Sequence, residues 1–457
     1  MSRTYVYLGI VEAIVFFLAA QLGAFIRLGW VLPEGITLGS LTATGILFAA
    51  GMSTAVLSMG LYQRGSQGQE AAFVVRLGLA FVLGTALLAA IFYLVPTLFM
   101  GRGVLGLSLV FSFIGINVVR ELFVRLVTAE SRKRRVLVLG AGDNARSIAD
   151  LAARDPNLGF VVVGFVPLPR SQVSVDSSLV LDANRPLAEL AIKHSVDELV
   201  VAADDRRGKL PVDDLVDCRM SGFEVLDLLS FFEKEFQIIK IDLLQPSSIF
   251  FSPKGFRMGR PGFITKRAFD LVVALVLLIP AAPIMVLILI ASLIESRFRD
   301  PVFYHQVRVG QHGTLFRVHK FRSMAIDAEA DGIARWATKD DSRITPLGSF
   351  LRKTRLDELP QLINVLRGQM SLVGPRPERP EFVQRLSASI PFYGERHRVK
   401  PGITGWAQLL YSYGSDEEDA RRKLEYDLYY VKHAGLMLDL VILLETVEVV
   451  AFGKGAR

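Results

Sequence analysis

Asp357 and Glu358 stand side by side in the stretch Thr354 to Pro377, which reads T-R-L-D-E-L-P-Q-L-I-N-V-L-R-G-Q-M-S-L-V-G-P-R-P. Pro360 follows closely, and a helix tolerates proline only in its first turn. The spacing therefore predicts a helix that starts with Asp357 or a neighbour as N-cap and runs to about Leu366. Such an end favours negative charge and suits anionic ligands. Adjacent side chains on a helix diverge by about 100°. The two carboxylates need not share a proton: one could act as nucleophile while the other orients, binds metal or moves a proton. Arg352, Arg355, Arg367 and Arg376 surround the pair in sequence. Arginine suits bidentate contact with phosphate. Mg²⁺ is typically held by one or two carboxylates plus substrate phosphates. The chemistry is that of a carboxylate, metal and phosphate site, with Asp357 and Glu358 as catalytic and metal-binding candidates and Mg²⁺ or Mn²⁺ as cofactor. Taken alone, Asp-Glu-Leu-Pro also reads as a capped helix start on an Arg-rich surface.

Several elements must position this pair. Asp300 to Gly310 and Phe316 to Met324 read as a two-stranded hairpin. Its second strand delivers Lys320 and Arg322 within K-F-R-S-M. The run Lys339-Asp340-Asp341-Ser342-Arg343 adds carboxylates ahead of the helix that carries Arg352; one could assist a metal, or the run is a solvated loop. Gly374-Pro375-Arg376-Pro377 holds Arg376 on a rigid turn. Lys400-Pro-Gly-Ile-Thr-Gly-Trp406 follows, with Trp406 expected at a membrane interface. Leu436–Phe452 is apolar but carries Asp439, Glu445 and Glu448, and reads as an amphipathic helix against the domain or on lipid.

Upstream, Leu271–Leu293 is a run of 23 residues without a charge. Its length suits a membrane span, but Pro280 and Pro283 lie at its middle and should break a helix. Both flanks are basic: Lys266 and Arg267 before, Arg297 and Arg299 after. A crossing should show charge asymmetry; a hairpin that enters and leaves on one face should not. A re-entrant, helix-break-helix anchor at 266–296 is the expectation.

Together these motifs, from about Thr265 to Phe452, closely resemble the monotopic phosphoglycosyl transferases, also called bacterial sugar transferases. The resemblance implies transfer of a sugar-1-phosphate from a UDP-sugar to polyprenyl (undecaprenyl) phosphate, releasing UMP. It implies Asp357 as nucleophile of a phosphosugar–aspartate intermediate, with Glu358 binding metal or activating the acceptor. It also implies phosphate or nucleotide contacts from Lys320, Arg322 and Arg376; Arg352, on the helix ahead of the pair, is a further phosphate-binding candidate by its residue type and place. The expected role is to start an exopolysaccharide or other surface glycan on the cytoplasmic face of a bacterial inner membrane.

The rest of the chain fits a membrane setting. Of 457 residues, 51% are hydrophobic, which predicts membrane segments. The net charge of +7 is read as juxtamembrane Lys/Arg facing anionic lipid; no nucleic-acid motif occurs. Cys218 stands alone, so no internal disulfide can form, which fits a reducing compartment. Residues 5–30, 36–61, 74–95 and 104–119 are four apolar stretches near spanning length. The first is too long for a signal peptide and has no cleavage site after it. Glu12 and Arg27 are placed near its ends, at the interface. Arg3, Arg64, Arg76 and the basic run from Arg120 to Arg135 put both ends of the four-helix unit in the cytoplasm.

Residues 134–245 alternate strand and helix, hence a parallel, Rossmann-like sheet. Gly140-Ala-Gly142-Asp-Asn-Ala145 resembles a dinucleotide fingerprint. The acid such a site wants at the end of the second strand is missing: Val166-Pro167-Leu168-Pro169 stands there. A regulatory or dimer-forming module is expected, similar to the CoA-binding-like module of larger family members.

The predicted fold is membrane α plus α/β: four transmembrane helices at 1–130, a Rossmann-like domain at 131–245, a linker at 246–264 and an α/β catalytic domain at 265–457. Membrane lipid, UDP-sugar and polyprenyl phosphate are the expected partners, with a homodimer as the assembly. Two other classes compete: a nucleotide-sugar oxidoreductase or dehydratase built on 134–245, and a non-catalytic membrane scaffold of polysaccharide assembly. The first wants a cofactor site and a Tyr-x-x-x-Lys pair, and neither is found.

Overall fold

A computed structural model of the chain describes residues 3–29, 38–59, 61, 70–96, 100–126, 133–154, 158–169, 172–183, 185–205, 210–250, 256, 259–297, 300–326, 343–411 and 416–452. Arg299 and the carboxylates of the 339–342 loop lie outside them. Two compact units result, Met1–Leu228 and Leu229–Arg457.

The first unit begins with helices α1 (Arg3–Leu28), α2 (Leu38–Ser58), α3 (Glu70–Leu94) and α4 (Arg102–Leu126). Phe16, Ala20 and Ala24 recur at every fourth residue of α1 and are buried, against Phe48, Met52 and Val56 of α2 and Ile116 of α4. Small residues on this stripe let the helices approach closely. The opposite stripe of α1, with Ile10, Ile14 and Leu18, is exposed. A water-soluble fold would not leave such a stripe bare; hydrocarbon would cover it. By length and composition five described helices could cross a membrane, these four and the helix Arg260–Glu295.

Glu12 is not at an interface. It is fully buried and forms a two-pronged ion pair with Arg120 of α4, at 2.5 and 3.0 Å. Arg120 also lies over the Phe73 ring of α3, 4.9 Å from its centroid. Glu12 and Arg120 lie on facing turns of packed helices, so the pair satisfies itself instead of reaching for water.

After the helices come β1 (Arg134–Leu139), α5 (Asp143–Arg154), β2 (Phe160–Val166), α6 (Leu187–Lys193), β3 (Glu198–Val201), α7 (Val212–Met220) and β4 (Glu224–Asp227). The strands form one parallel sheet in the order β2-β1-β3-β4. β1 and β3 are central and read as nearly unbroken apolar runs, as strands covered on both faces do. At the fingerprint turn the amide of Asn144, at the start of α5, donates to Asp204 Oδ1 at 2.9 Å. A Cβ on Gly142 would meet Asp204 Oδ2 at 1.7 Å. The place where a dinucleotide's pyrophosphate would sit therefore holds a carboxylate of the same chain.

The second unit opens with α8 (Leu228–Phe236), which begins at the unit boundary, and α9 (Pro246–Phe250). Leu229, Ile239, Ile241 and Leu244 share a core with Phe382, Leu386, Leu424 and Leu428. The stretch after Leu228 thus belongs to the C-terminal core, earlier than the boundary at 245 drawn from composition. α10 (Arg260–Glu295) follows. Pro280 and Pro283 lie inside it, and the helix runs unbroken for 36 residues, unlike the helix-break-helix expected. Each proline removes one N–H, and its neighbours are bare: Ile279 is 76% exposed and Leu287 67%. In hydrocarbon such a helix keeps its remaining bonds because no water competes for them.

Both ends of α10 are fastened to the second unit. At the first, Lys266 pairs with Asp439 at 2.6 Å, and Asp270 Oδ1 accepts from Ser371 Oγ at 3.0 Å and the Leu372 amide at 3.2 Å. Arg267 donates to the carbonyls of Val365 and Leu366 at 2.7 and 2.9 Å. At the second, Ile288 packs on Phe321 and Leu351, and Glu295 accepts from the Leu347 amide at 3.0 Å.

The expected hairpin is present as β5 (Phe303–Val309) and β6 (Leu315–Phe321), antiparallel with Phe303 opposite Phe321. The remaining elements are α11 (Pro346–Thr354), α12 (Gln361–Leu366), β7 (Ser371–Val373), α13 (Pro380–Ser389), β8 (Gly402–Thr404), α14 (Trp406–Leu410), α15 (Glu417–His433) and α16 (Leu436–Phe452). β7 and β8 pair in parallel. Trp406 is buried, not interfacial: it stacks on Tyr429 and its Nε1–H donates to the Gln237 carbonyl at 3.1 Å. α16 packs on the domain through Asp439, Val441 and Ile442, all buried.

Candidate active site

α11 ends because Arg355 adopts a left-handed conformation, φ 58°. That reversal throws Leu356–Glu358 into a 3₁₀ turn. The acids do not cap the following helix: α12 begins only at Gln361, with Pro360 in the N-cap position and no side-chain cap bond. A proline has no N–H to offer a cap and closes the turn before the helix starts. Asp357 and Glu358 are instead buried side by side, 8% and 7% exposed.

Their partners differ. Glu358 Oε1 accepts from Lys320 Nζ at 2.8 Å and from Arg376 Nη2 at 3.1 Å. Burial alone would raise its pKa, but Lys320 and Arg376 outweigh it and hold the carboxyl well below the ordinary range. Asp357 makes no hydrogen bond among the described residues. Burial raises its pKa; Lys320 pulls against that, and Glu358 adds to it. The pair is therefore split into one clamped anion and one unclamped carboxyl.

The four cations expected at phosphate divide as well. Lys320, on β6, and Arg376, after β7, meet on Glu358. Arg352, in the last turn of α11, acts on Asp357 through its charge. Arg322 is spent elsewhere: its Nε donates to the Pro301 carbonyl at 2.9 Å and its guanidinium lies over the Tyr304 ring.

Arg376 is held from two directions. Its Nη1 donates to Gln408 Oε1 at 3.3 Å. Its carbonyl accepts from Arg396 Nη2 at 3.1 Å. Arg396 is buried, pairs with Asp427 at 2.7 Å and donates to the Tyr393 hydroxyl at 2.8 Å. Burial works against its charge, and Tyr393 and Asp427 more than offset that. The turn bearing Arg376 starts at Gly374, where a Cβ would lie 2.3 Å from the Lys400 carbonyl. Only glycine lets β7 and the strand after Lys400 come that close.

A narrow cleft beside Glu358 is lined by Arg308, Val318, Lys320, Gln361, Arg376, Pro377 and Gly402. Arg308, Gln361, Arg396, Asp427 and Gln408 were missed as site residues. Asp427 was detectable: it sits on the apolar stripe of α15 with Leu424, Leu428 and Val431, all buried, where a carboxylate needs a partner. Among the described residues no group of three His, Cys, Asp or Glu could hold a metal ion. A hard cation would need Asp357 or Glu358 together with substrate phosphates, the arrangement Mg²⁺ commonly accepts.

The fold and site define a membrane protein with a buried pair of carboxylates, one of them held by a lysine and an arginine. A model of the family described as "Bacterial sugar transferase" matches residues 262–453. The chain is 39% identical over 244 residues to the UDP-N-acetylgalactosamine-undecaprenyl-phosphate N-acetylgalactosaminephosphotransferase of Aeromonas hydrophila, covering 53% of this chain and 56% of that one. It is 36% identical over 321 residues to the UDP-glucose:undecaprenyl-phosphate glucose-1-phosphate transferase of Klebsiella pneumoniae, covering 69% and 67%. It is 33% identical over 225 residues to the exopolysaccharide production protein ExoY of Sinorhizobium fredii, covering 46% of this chain and 96% of that one. The chain belongs to the bacterial sugar transferase family. It spans 56% of the length of the Aeromonas relative and 67% of the Klebsiella one.

Proposed function

We propose that the chain transfers a sugar-1-phosphate from a UDP-sugar to undecaprenyl phosphate at the cytoplasmic face of a bacterial inner membrane, to start an exopolysaccharide or other surface glycan. The observation that carries this is the split pair: an Asp357 carboxyl with no hydrogen bond among the described residues, beside a Glu358 held by Lys320 and Arg376. In the first step an Asp357 oxygen forms a bond to the sugar-bearing phosphorus. The bond from that phosphorus to the bridging oxygen breaks, and UMP leaves. In the second, an oxygen of undecaprenyl phosphate attacks the same phosphorus and frees Asp357. Lys320, Arg352 and Arg376 offset charge on the phosphates, a contribution that is largely electrostatic. Mg²⁺ or Mn²⁺, held by Asp357 and Glu358 with the diphosphate, would neutralise the leaving group.

The anchor is re-entrant in this reading. Both ends of α10 are fastened to one unit while its middle is bare, which supports entry and exit on one face although the helix itself is unbroken. The Rossmann-like module contributes stability, regulation or pairing of two chains; Asp204 at its anion position argues against an oxidoreductase.

The test uses purified full chain in nanodiscs with undecaprenyl phosphate and a panel of UDP-sugars, scored by UMP release. Asp357→Asn is expected to abolish turnover and to leave no phosphosugar adduct detectable by mass spectrometry. An adduct on that variant would overturn the nucleophile assignment. Activity is expected to vanish with EDTA and return with Mg²⁺; full activity in excess chelator would remove the metal from the scheme.

A further inference from the structure

Arg267, in the first turns of α10, and Lys400, just before β8, face one notch. A Cβ on Gly368 would lie 3.4 Å from Arg267 Nη2 and 3.6 Å from Lys400 Nζ. Gly368 ends α12, so both side chains converge below the C-terminal end of that helix. Arg267 is fixed there by its bonds to the Val365 and Leu366 carbonyls. Lys400 is fixed by its backbone, wedged against Gly374. Its ammonium lies over the Phe263 ring, 5.7 Å from the centroid. Phe263 and Ile264 are themselves 45% and 68% exposed at the start of the apolar helix.

The charges in this corner do not cancel. Lys266 is matched by Asp439, and Asp270 is turned to Ser371 and the Leu372 amide. Lys400 has no hydrogen-bonded carboxylate among the described residues. Burial and then Arg267 pull its pKa below the usual lysine range, with Asp270 offsetting part of this. A half-buried ammonium beside a guanidinium is stabilised by an anion that accepts from both.

We propose that Arg267 and Lys400, rimmed by Phe263, form a seat for the phosphate of an anionic phospholipid where α10 enters the membrane. This rests on the reading of α10 as membrane-embedded. The ligand is a lipid because the notch opens beside exposed apolar residues of α10, where a headgroup phosphate and its acyl chains meet matching surfaces. It is not the reacting acceptor because α12 separates the notch from the carboxylates. The carboxylates precede the first residue of that helix and the notch follows its last. Six helical residues rise about 9 Å, too far for one phosphate to serve both.

Native mass spectrometry of the full chain, in detergent doped with phosphatidylglycerol, phosphatidylcholine or undecaprenyl phosphate, tests this. The wild type is expected to retain phosphatidylglycerol. Lys400→Gln is expected to lower that retention about fivefold, the equivalent of about 1 kcal/mol for one basic residue at an anionic surface. Lys400→Arg should preserve it, and phosphatidylcholine retention should be the same in all three. Equal phosphatidylglycerol retention in wild type and Lys400→Gln overturns the proposal. So does displacement of the lipid by inorganic phosphate, which would mark a free-phosphate site. A loss confined to undecaprenyl phosphate, with a raised acceptor KM, would assign the seat to the acceptor and overturn it too. If Lys400→Gln does not fold, the salt dependence of retention in the wild type decides: retention that ignores salt overturns the proposal. Retention is read without turnover, so an inactive enzyme would leave this test intact.

Discussion

Two carboxyls one bond apart in sequence face different surroundings, and in the proposed mechanism that difference assigns their roles. Glu358 spends an oxygen on Lys320 and Arg376, while Asp357 makes no hydrogen bond among the described residues. The clamp has a consequence for the cations themselves. Lys320→Ala should lower kcat on the order of 10²–10³-fold, the usual loss when one charge-stabilising donor is removed from a reacting centre. Arg322→Ala should cost less than about tenfold, because Arg322 is occupied by Pro301 and Tyr304. Rates of UMP release check this; equal losses would mean that substrate draws Arg322 into the site. Both residues belong to the same K-F-R-S-M run, so the sequence alone could not separate them. What separates them is which backbone carbonyl and ring happen to lie within reach, a matter of tertiary placement. Trp406 teaches the same lesson: an amphipathic ring suits an interface, but Tyr429 and the Gln237 carbonyl satisfy it inside.

At the scale of elements, patterns of period and punctuation were legible. The β5–β6 hairpin, the parallel sheet and the apolar helices follow from alternation, glycine turns and length. Helix ends were not. The reading of Asp357 as an N-cap failed because a left-handed Arg355 and then Pro360 insert a tight turn, and no sequence rule forces a non-glycine residue to positive φ. The helix–break at Pro280 failed because helix in an apolar setting survives a lost bond. Between helices, the pair of Glu12 and Arg120 locks α1 to α4. Removing one partner of a buried pair usually costs about 3–5 kcal/mol. Glu12→Gln should therefore lower the thermal midpoint of the full chain in detergent, while UMP release by the folded fraction stays near wild type. A midpoint within error of wild type would show that the pair contributes nothing net to the bundle.

For the whole molecule, the division of labour decides where it can be cut. Residues 229–245 form a strap that belongs to the C-terminal core: Lys240 pairs with Glu425 at 3.0 Å, Glu233 pairs with Lys432 at 2.7 Å, and the Gln237 carbonyl accepts from Trp406. A chain starting at Leu229 should fold, stay on membranes and release UMP. One starting at Pro246 should lose most of its soluble, active yield, since it strips Leu229, Ile239, Ile241 and Leu244 from the core. Measured yield and turnover of the two truncations check this; equal behaviour would show the strap to be dispensable. Composition placed the boundary later because Pro, Gly and Ser around 246–264 look like a linker, while the strap looks like one more βα repeat. The same strap sets a timetable for synthesis. Gln237 leaves the ribosome 169 residues before Trp406. At about 5–20 residues per second, the strap waits on the order of ten to thirty seconds for its partners, and α10 must enter the bilayer during that interval. The newborn chain thus carries four uncovered apolar side chains past a membrane before it can close over them, so whatever shields them in those seconds governs the yield of enzyme.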